Sequence, residues 1–430
     1  MSSNETLAVV IPHHNEPAEM YERAMTSAKN LQMNSTINHI EIVTVRDPSA
    51  GVADLYNAAI DRALELSATW IFFLKADECI EPNALTYLSA ALDAYNGLWG
   101  GINLINEQGE GVIAKQSLMS SDETVRNYHT ALNWWIGKSH FVRTDVAVHN
   151  RFDASKGEAW YADYLTRVWK SARSLKSAQA LTSRTGNLPM LSDHERHFLL
   201  DDLEMDPKFV SFRYADQPIQ LPFTGRNPTL ERVQLRGLFY EQSDLQKLTE
   251  HVKPGAVCID VGANTGNHTV FFAKVLKASK VIPIEPNPDA VRILKRCVAV
   301  NELTNVDCTK LGVGVGKEAG QFDLNVGRRG HLGTARLSPN DEGTITVQTL
   351  DALITEAVQL IKIDVEMMEI DVLEGARNLI GHDQPVLLIE AQDENITPLL
   401  AILDDLSYRI EKVFPDQGYA NYLALPRMKA

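Results

Sequence analysis

Residues 259–274 read IDVGANTGNHTVFFAK, an apolar run that meets a glycine-rich turn and continues as a helix. Strand, turn and helix in that order open a βαβ unit, and this places the surrounding chain in the α/β class. Gly262 and Gly266 let the backbone turn tightly and approach a ligand, while the following helix offers free N–H groups and the positive end of its dipole. The spacing is Asp260-x-Gly262-x-Asn264-x-Gly266. Asn267 stands where a dinucleotide fingerprint has its third glycine, so a pyrophosphate loop is disfavoured and a smaller charged ligand fits better. The next apolar run, KVIPIE (280–285), ends one βαβ step later in Glu285, where a carboxylate can accept hydrogen bonds from both hydroxyls of a ribose.

The alternation extends on both sides. AVCIDV, KVIPIE, DCTKLGVG, LIKIDV and PVLLIE read as strands, with helices over 268–276 and 288–301. QFDLNV and TITVQTL form an inserted pair of strands, and YRIEKVF with YANYLALP predicts an antiparallel hairpin that closes the sheet. The stretch LIKIDVEMMEIDVLEGA (360–376) puts Asp364 at the carboxyl end of a buried strand, with Glu366 and Glu369 just beyond. Doubly wound sheets hold their ligands at that edge.

Taken together, IDVGANTGNHT, IEPNP, NELTNV, LDAL and IKIDVEMMEIDVLEGA resemble, in order, the FkbM family of S-adenosylmethionine-dependent O-methyltransferases, over about 237–426. The resemblance implies a Rossmann-like class I methyltransferase fold. It also implies that Asp260, Gly262, Asn264 and Gly266 lie near the amino-acid end of the cofactor S-adenosylmethionine, with Glu285 on its ribose. The family usually has glycine where this chain has Met367. Methyl transfer to a hydroxyl needs in-line alignment and a group that takes the hydroxyl proton. Asp364 and Glu366 are the catalytic candidates, with Glu369 and His331, in GRRGHLGT, behind them. Oxygen donors suit magnesium, and the sequence leaves open whether these carboxylates hold one.

The first 180 residues alternate in the same way: LAVVIP, a helix over 16–31, IEIVTV, a helix over 54–66, and TWIFFL. This predicts a mostly parallel sheet covered by helices. TVRDPSAG and FFLKADECIEPNAL put Asp47 and Asp77 at carboxyl strand ends on one sheet edge. The order of these pieces resembles the family 2 glycosyltransferases of GT-A fold, over about 7–170. The resemblance implies a nucleotide-sugar site of Pro12, Asn15, Asp47 and Asn57, a manganese or magnesium ion on Asp77 with Pro82 following, and Asp163 as acceptor base. Lys75 replaces the first aspartate of the family's metal motif, and Ala162 replaces the glutamate before Asp163. His13 and His14 are no metal pair, because adjacent strand side chains point to opposite faces.

The 430 residues exceed what one core usually organises. The pattern divides them into a GT-A-like domain (1–184), a charged, proline-containing linker (185–230) and a methyltransferase-like domain (231–430). A net charge of −15 argues against nucleic acid as partner, and no run has the length of a membrane span or the form of a signal segment, so a cytoplasmic protein is expected. Four scattered cysteines outline neither disulfides nor a zinc site. The expected function is O-methylation of a sugar or glycan hydroxyl, or of a small hydroxyl acceptor, by a protein that also uses a nucleotide sugar in polysaccharide biosynthesis. Two alternatives stay open: an N-terminal domain that only binds nucleotide or glycan, and a nucleotide-binding scaffold without catalysis.

Overall fold

A computed structural model describes residues 5–34, 39–86, 95–105, 111–113, 122–133, 138–185, 191–326, 331–416 and 418–427. The chain divides into two compact units, 1–208 and 209–430.

In the first unit, β1 (Leu7–His13) runs parallel to β2 (Ile40–Arg46) and β3 (Trp70–Phe73). All seven residues of β1 are buried, as a central strand covered on both faces requires. β4 (Cys79–Ile80), β5 (Gly97–Ile105), β6 (Gly111–Ile113), β7 (His140–Arg143) and β8 (Ser174–Thr185) complete the order β2-β1-β3-β7-β5-β8-β4, with β6 on β5. The expected mostly parallel sheet is therefore mixed. β7 is antiparallel to both β3 and β5, and β4 is antiparallel to β8. β3 leads into a tight turn rather than another crossover helix, so the handedness rule for βαβ units does not govern the strands after it.

From 191 onward, the span expected to be a linker is structured. A helix, Asp193–Met205, starts on a Ser192 capping box. β9 (Lys208–Tyr214) then pairs with β10 (Gln217–Phe223). Their two-residue turn, Ala215 and Asp216, has positive φ at both positions, the primed geometry that suits strand twist. Neither residue is the glycine or asparagine that announces such a turn. Ile219 and Leu221 of β10 join a core cluster with Phe239 and Phe271.

The second unit is built on β11 (Val257–Val261), β12 (Lys280–Ile284), β17 (Leu360–Ile363), β18 (Val386–Gln392), β19 (Tyr408–Pro415) and β20 (Tyr419–Pro426). The order is β12-β11-β17-β18-β20-β19, parallel as far as β18 and antiparallel beyond it. The closing hairpin forms as its pattern implies. β13 (Val313–Val315), β14 (Gly320–Asn325), β15 (Arg336–Pro339) and β16 (Ile345–Gln348) make a separate sheet, in which the inserted strands β14 and β16 pair antiparallel. The chain passes from β11 to β12 on one side of β11 and later places β17 on the other. That reversal opens a crevice at the carboxyl ends of β11 and β17.

Candidate functional site

Register brings the site residues into one row. Val261 pairs with Ile284 and Ile363, and Ile363 with Ile389, so Glu285, Gly262, Asp364 and Glu390 stand side by side one residue further on. Gly262 has φ +74°, and a Cβ there would lie 1.7 Å from the Asp364 carbonyl oxygen. Only glycine lets these two strand ends approach so closely. The Asn264 and Asn287 N–H groups donate to the two oxygens of Glu285 at 2.8 and 2.9 Å. Each oxygen keeps a second lone pair for a ligand hydroxyl. Burial pushes the Glu285 carboxyl up to about 7, against the pull of those two N–H groups. Beside it lies an apolar cavity walled by Ile284, Val315, Leu332, Leu337, Val365 and Met368.

Beneath the turn sits a charge cluster that no sequence motif announced. Lys362 is 3% exposed within the four-residue strand β17. Its Nζ donates to the Gly262 carbonyl at 2.9 Å and to Asp364 at 3.1 Å, and lies 3.6 Å from Asp260. Burial opposes the charge, but Asp364, Asp260 and Glu241 outweigh it and hold the ammonium above its ordinary range. Asp260 is fully buried, accepts a 2.6 Å bond from the Thr269 hydroxyl and lines neither cavity; Gly266 lines neither as well. Both shape the turn from behind. A lysine inside LIKI, an otherwise apolar strand, was the available signal.

The loop after β17 is strained. Glu366 and Met367 have φ +53° and +86°. Met367 thus holds the left-handed backbone for which glycine is the usual residue, at a cost of about 1–2 kcal/mol. Glu369 ties the loop down: its carboxylate accepts from Met367 N at 2.9 Å and Asn395 Nδ2 at 3.3 Å. Met367→Gly is expected to leave the fold as stable or up to about 1 kcal/mol more stable, where glycine in a helix costs about that much. Thermal unfolding of the two proteins checks it; a clear loss would mean that the Met367 side chain, not the backbone, anchors the loop. Burial first, then the Asp364 charge, pushes Glu366 up to about 7.

A second, polar cavity of about 430 Å³ adjoins the first and shares Gly262, Asn264, Gly333, Asp364 and Glu366 with it. His331, His268, Tyr240, Lys362, Glu390 and Tyr419 also line it. Of the stretch around His331, residues 327–330 lie outside the described residues.

In the first unit, Pro12 and Asn15 line a cleft of about 330 Å³ with Val52, Tyr56, Lys75, Lys138 and Trp160. The other expected residues stand outside its lining. Asp47 is exposed and accepts bonds from Ser49 N at 2.9 Å and its hydroxyl at 2.6 Å. The Asn57 amide is occupied on both sides by the Phe152 backbone at 2.9 Å. Asp163 is buried and paired with Arg167 at 2.7 Å. Asp77 is held by Lys75 at 2.6 Å and Arg184 at 3.2 Å, and its other oxygen is buried without a partner. The expected manganese or magnesium does not fit there, because two cations already neutralise the carboxylate and would repel a third. Among the described residues no three His, Cys, Asp or Glu side chains are grouped to hold a metal. No helix among them is long and apolar enough to cross a membrane.

Residues 260–410 match the family model described as Methyltransferase FkbM domain, which supports S-adenosylmethionine-dependent methyl transfer by the second unit. No curated protein matches the sequence. The chain has weak likeness to several solved structures. One is precorrin-6y C5,15-methyltransferase from Geobacter metallireducens (12% identity, 43% of this chain and 88% of that one, TM-score 0.29). Another is an rRNA methylase from Streptococcus thermophilus (13%, 43% and 95%, 0.30). A third is S. aureus TarS 1-349 (17%, 46% and 64%, 0.32). Likenesses at these values bear on neither fold nor function.

Proposed function

We propose that the second unit O-methylates a sugar or glycan hydroxyl with S-adenosylmethionine, and that the first is a GT-A-like domain that binds a nucleotide sugar. The observation that carries the first part is the strand-end row, with Glu285 on the apolar cavity and Asp364 and Glu366 shared with the polar one.

The residues present suit the ribose of the cofactor: Glu285 has free lone pairs for two of its hydroxyls, beside an apolar wall. When bound, S-adenosylmethionine supplies an electrophilic methyl group. The chain's part is to orient the hydroxyl and take its proton. Asp364 is committed to Lys362, so Glu366 is the better base. A carboxyl poised near 7 can be ionised at neutral pH yet still accept a proton. The base must be ionised to act. Its kcat/KM is therefore expected to rise about tenfold per pH unit below 7 and to level off above it, and Glu366→Gln should remove that limb. A profile flat from pH 5 to 8 would exclude Glu366.

Glu285→Ala is expected to weaken S-adenosylmethionine by about 1–3 kcal/mol, the scale for polar partners left unpaired. Calorimetry is the measurement, and unchanged affinity in a folded variant would remove Glu285 from the site. The overall test is transfer of labelled methyl groups from S-adenosylmethionine to sugars by the full chain.

The cleft has Pro12, Asn15 and the Trp160 ring in its lining, with Glu16 and two lysines that are paired with Asp77 and Glu195, and its aromatic wall supports binding of a ring-bearing ligand by the first unit. The pairing of Lys75 with Asp77 favours the reading in which this unit binds without transferring sugar. Titration of the full chain with UDP and GDP, followed by a hydrolysis assay with the UDP- and GDP-sugars, separates binding from turnover.

A further inference from the structure

The polar cavity holds one more carboxyl, which neither the motifs nor the proton transfer accounts for. Glu390 ends the row on the side away from Glu285, beside Asp364 and opposite Asn421 of β20. Among the described residues its carboxyl makes no hydrogen bond, although it lines the cavity. Asn421 gives its amide to Asp244 at 2.9 Å instead.

The charges around Glu390 come from every neighbouring element. Asp364 and Glu366 reach it from the loop after β17, and Lys362 from β17 itself. Glu241 acts from the start of the helix Gln242–Leu248 and is paired with His268 at 3.0 Å; Tyr240 and Tyr419 add hydroxyls that bond each other at 3.0 Å. Asp364, Glu241 and Glu366 disfavour a charge on Glu390 and Lys362 favours it, while Arg336 lies 3.9 Å from Glu366. Burial, then Asp364 and Glu241, push the Glu390 carboxyl well above the usual carboxylate range. At neutral pH it is a free O–H donor beside a free acceptor, in a cavity whose other carboxyls repel anions.

We propose that Glu390 selects the methyl acceptor: its carboxyl gives and accepts hydrogen bonds to hydroxyls of an uncharged sugar, and the surrounding carboxylates reject sugars with an anionic group near the methylated hydroxyl. This rests on the reading of the second unit as a sugar O-methyltransferase. It places methylation on neutral residues, ahead of any reaction that oxidises or phosphorylates the same sugar.

The experiment uses the full chain, labelled S-adenosylmethionine, and glucose, galactose and mannose, each paired with its uronic acid and 6-phosphate. In each set the neutral sugar is expected to accept methyl groups at least about tenfold faster, the scale of one unpaired polar group. Glu390→Ala should raise the KM for the neutral sugar by about tenfold with kcat and cofactor affinity within a few-fold. Glu390→Gln keeps a donor and an acceptor but cannot ionise, so it should lose the rise in KM that the parent shows as pH climbs into the alkaline range. The infrared difference spectrum of the parent minus Glu390→Gln at neutral pH should hold a carboxylic-acid band, which reads the protonated Glu390 without any acceptor and apart from the other raised carboxyls. Equal or faster transfer to the anionic sugars, or no such band, overturns the proposal. A change in cofactor affinity in place of acceptor KM does so too, by moving Glu390 to the cofactor. Methyl transfer to none of the sugars, with cofactor binding intact, overturns the sugar reading beneath it.

Discussion

Lys362→Met is expected to destabilise the second unit by about 3–5 kcal/mol, the cost of leaving partners of a buried ion cluster uncompensated. Methionine replaces the volume of the lysine stem but not its charge. Asp260, fully buried, would then have only the Thr269 hydroxyl, and Asp364 would lose its 3.1 Å partner. The Gly262 carbonyl would lose its donor as well, so the cofactor turn should loosen and S-adenosylmethionine affinity fall. All six tryptophans lie in the first 208 residues, which makes the measurement selective. Denaturation followed by circular dichroism should show an early transition of the second unit, while tryptophan fluorescence reports the first unit unchanged. A loss below about 1 kcal/mol would mean that the cluster is not held together by its charges.

Gly262→Ala is expected to weaken S-adenosylmethionine by about 100-fold or more, or roughly 2.8 kcal/mol, and to destabilise the second unit by several kcal/mol. Two effects add: the backbone is left-handed at φ +74°, and the new methyl group would sit 1.7 Å from a backbone oxygen that no rotamer change can move. Gly255→Ala isolates the first effect. Gly255 has φ +88°, a methyl group there would meet nothing within 4 Å, and the residue lines neither cavity, so its substitution should cost about 1–2 kcal/mol and spare affinity. Calorimetry for affinity and thermal unfolding for stability read both variants. Equal behaviour of the two would show that the strand ends at Gly262 and Asp364 can separate freely, and that their close approach is not needed for binding.

Much of this was legible in the one-dimensional pattern. Strand, turn and helix around Gly262, the acidic ends at Glu285 and Asp364, and the closing hairpin are local signals: each depends on residues close in sequence whose apolar period and turn chemistry agree. Other features were not. The β9–β10 hairpin has Ala215 and Asp216 in a turn that usually carries glycine or asparagine, and charged residues around it imitate a linker. The antiparallel course of β7 depends on pairing between segments some 70 residues apart, which no local period encodes.

The site divides in the same way. By itself the sequence determined that Gly262, Glu285 and Asp364 stand at the carboxyl ends of strands, because strand ends and glycine turns follow from short-range sterics. Only the tertiary structure decided what each does there. It set Lys362 between Asp260 and Asp364, turned Asp77 into a partner for Lys75 and Arg184, engaged Asn57 with the Phe152 backbone, and left Glu390 without a partner among the described residues. The physical reason is that a carboxylate's role depends on the charges and burial within a few ångströms of it, and those neighbours come from strands and loops far apart in the chain.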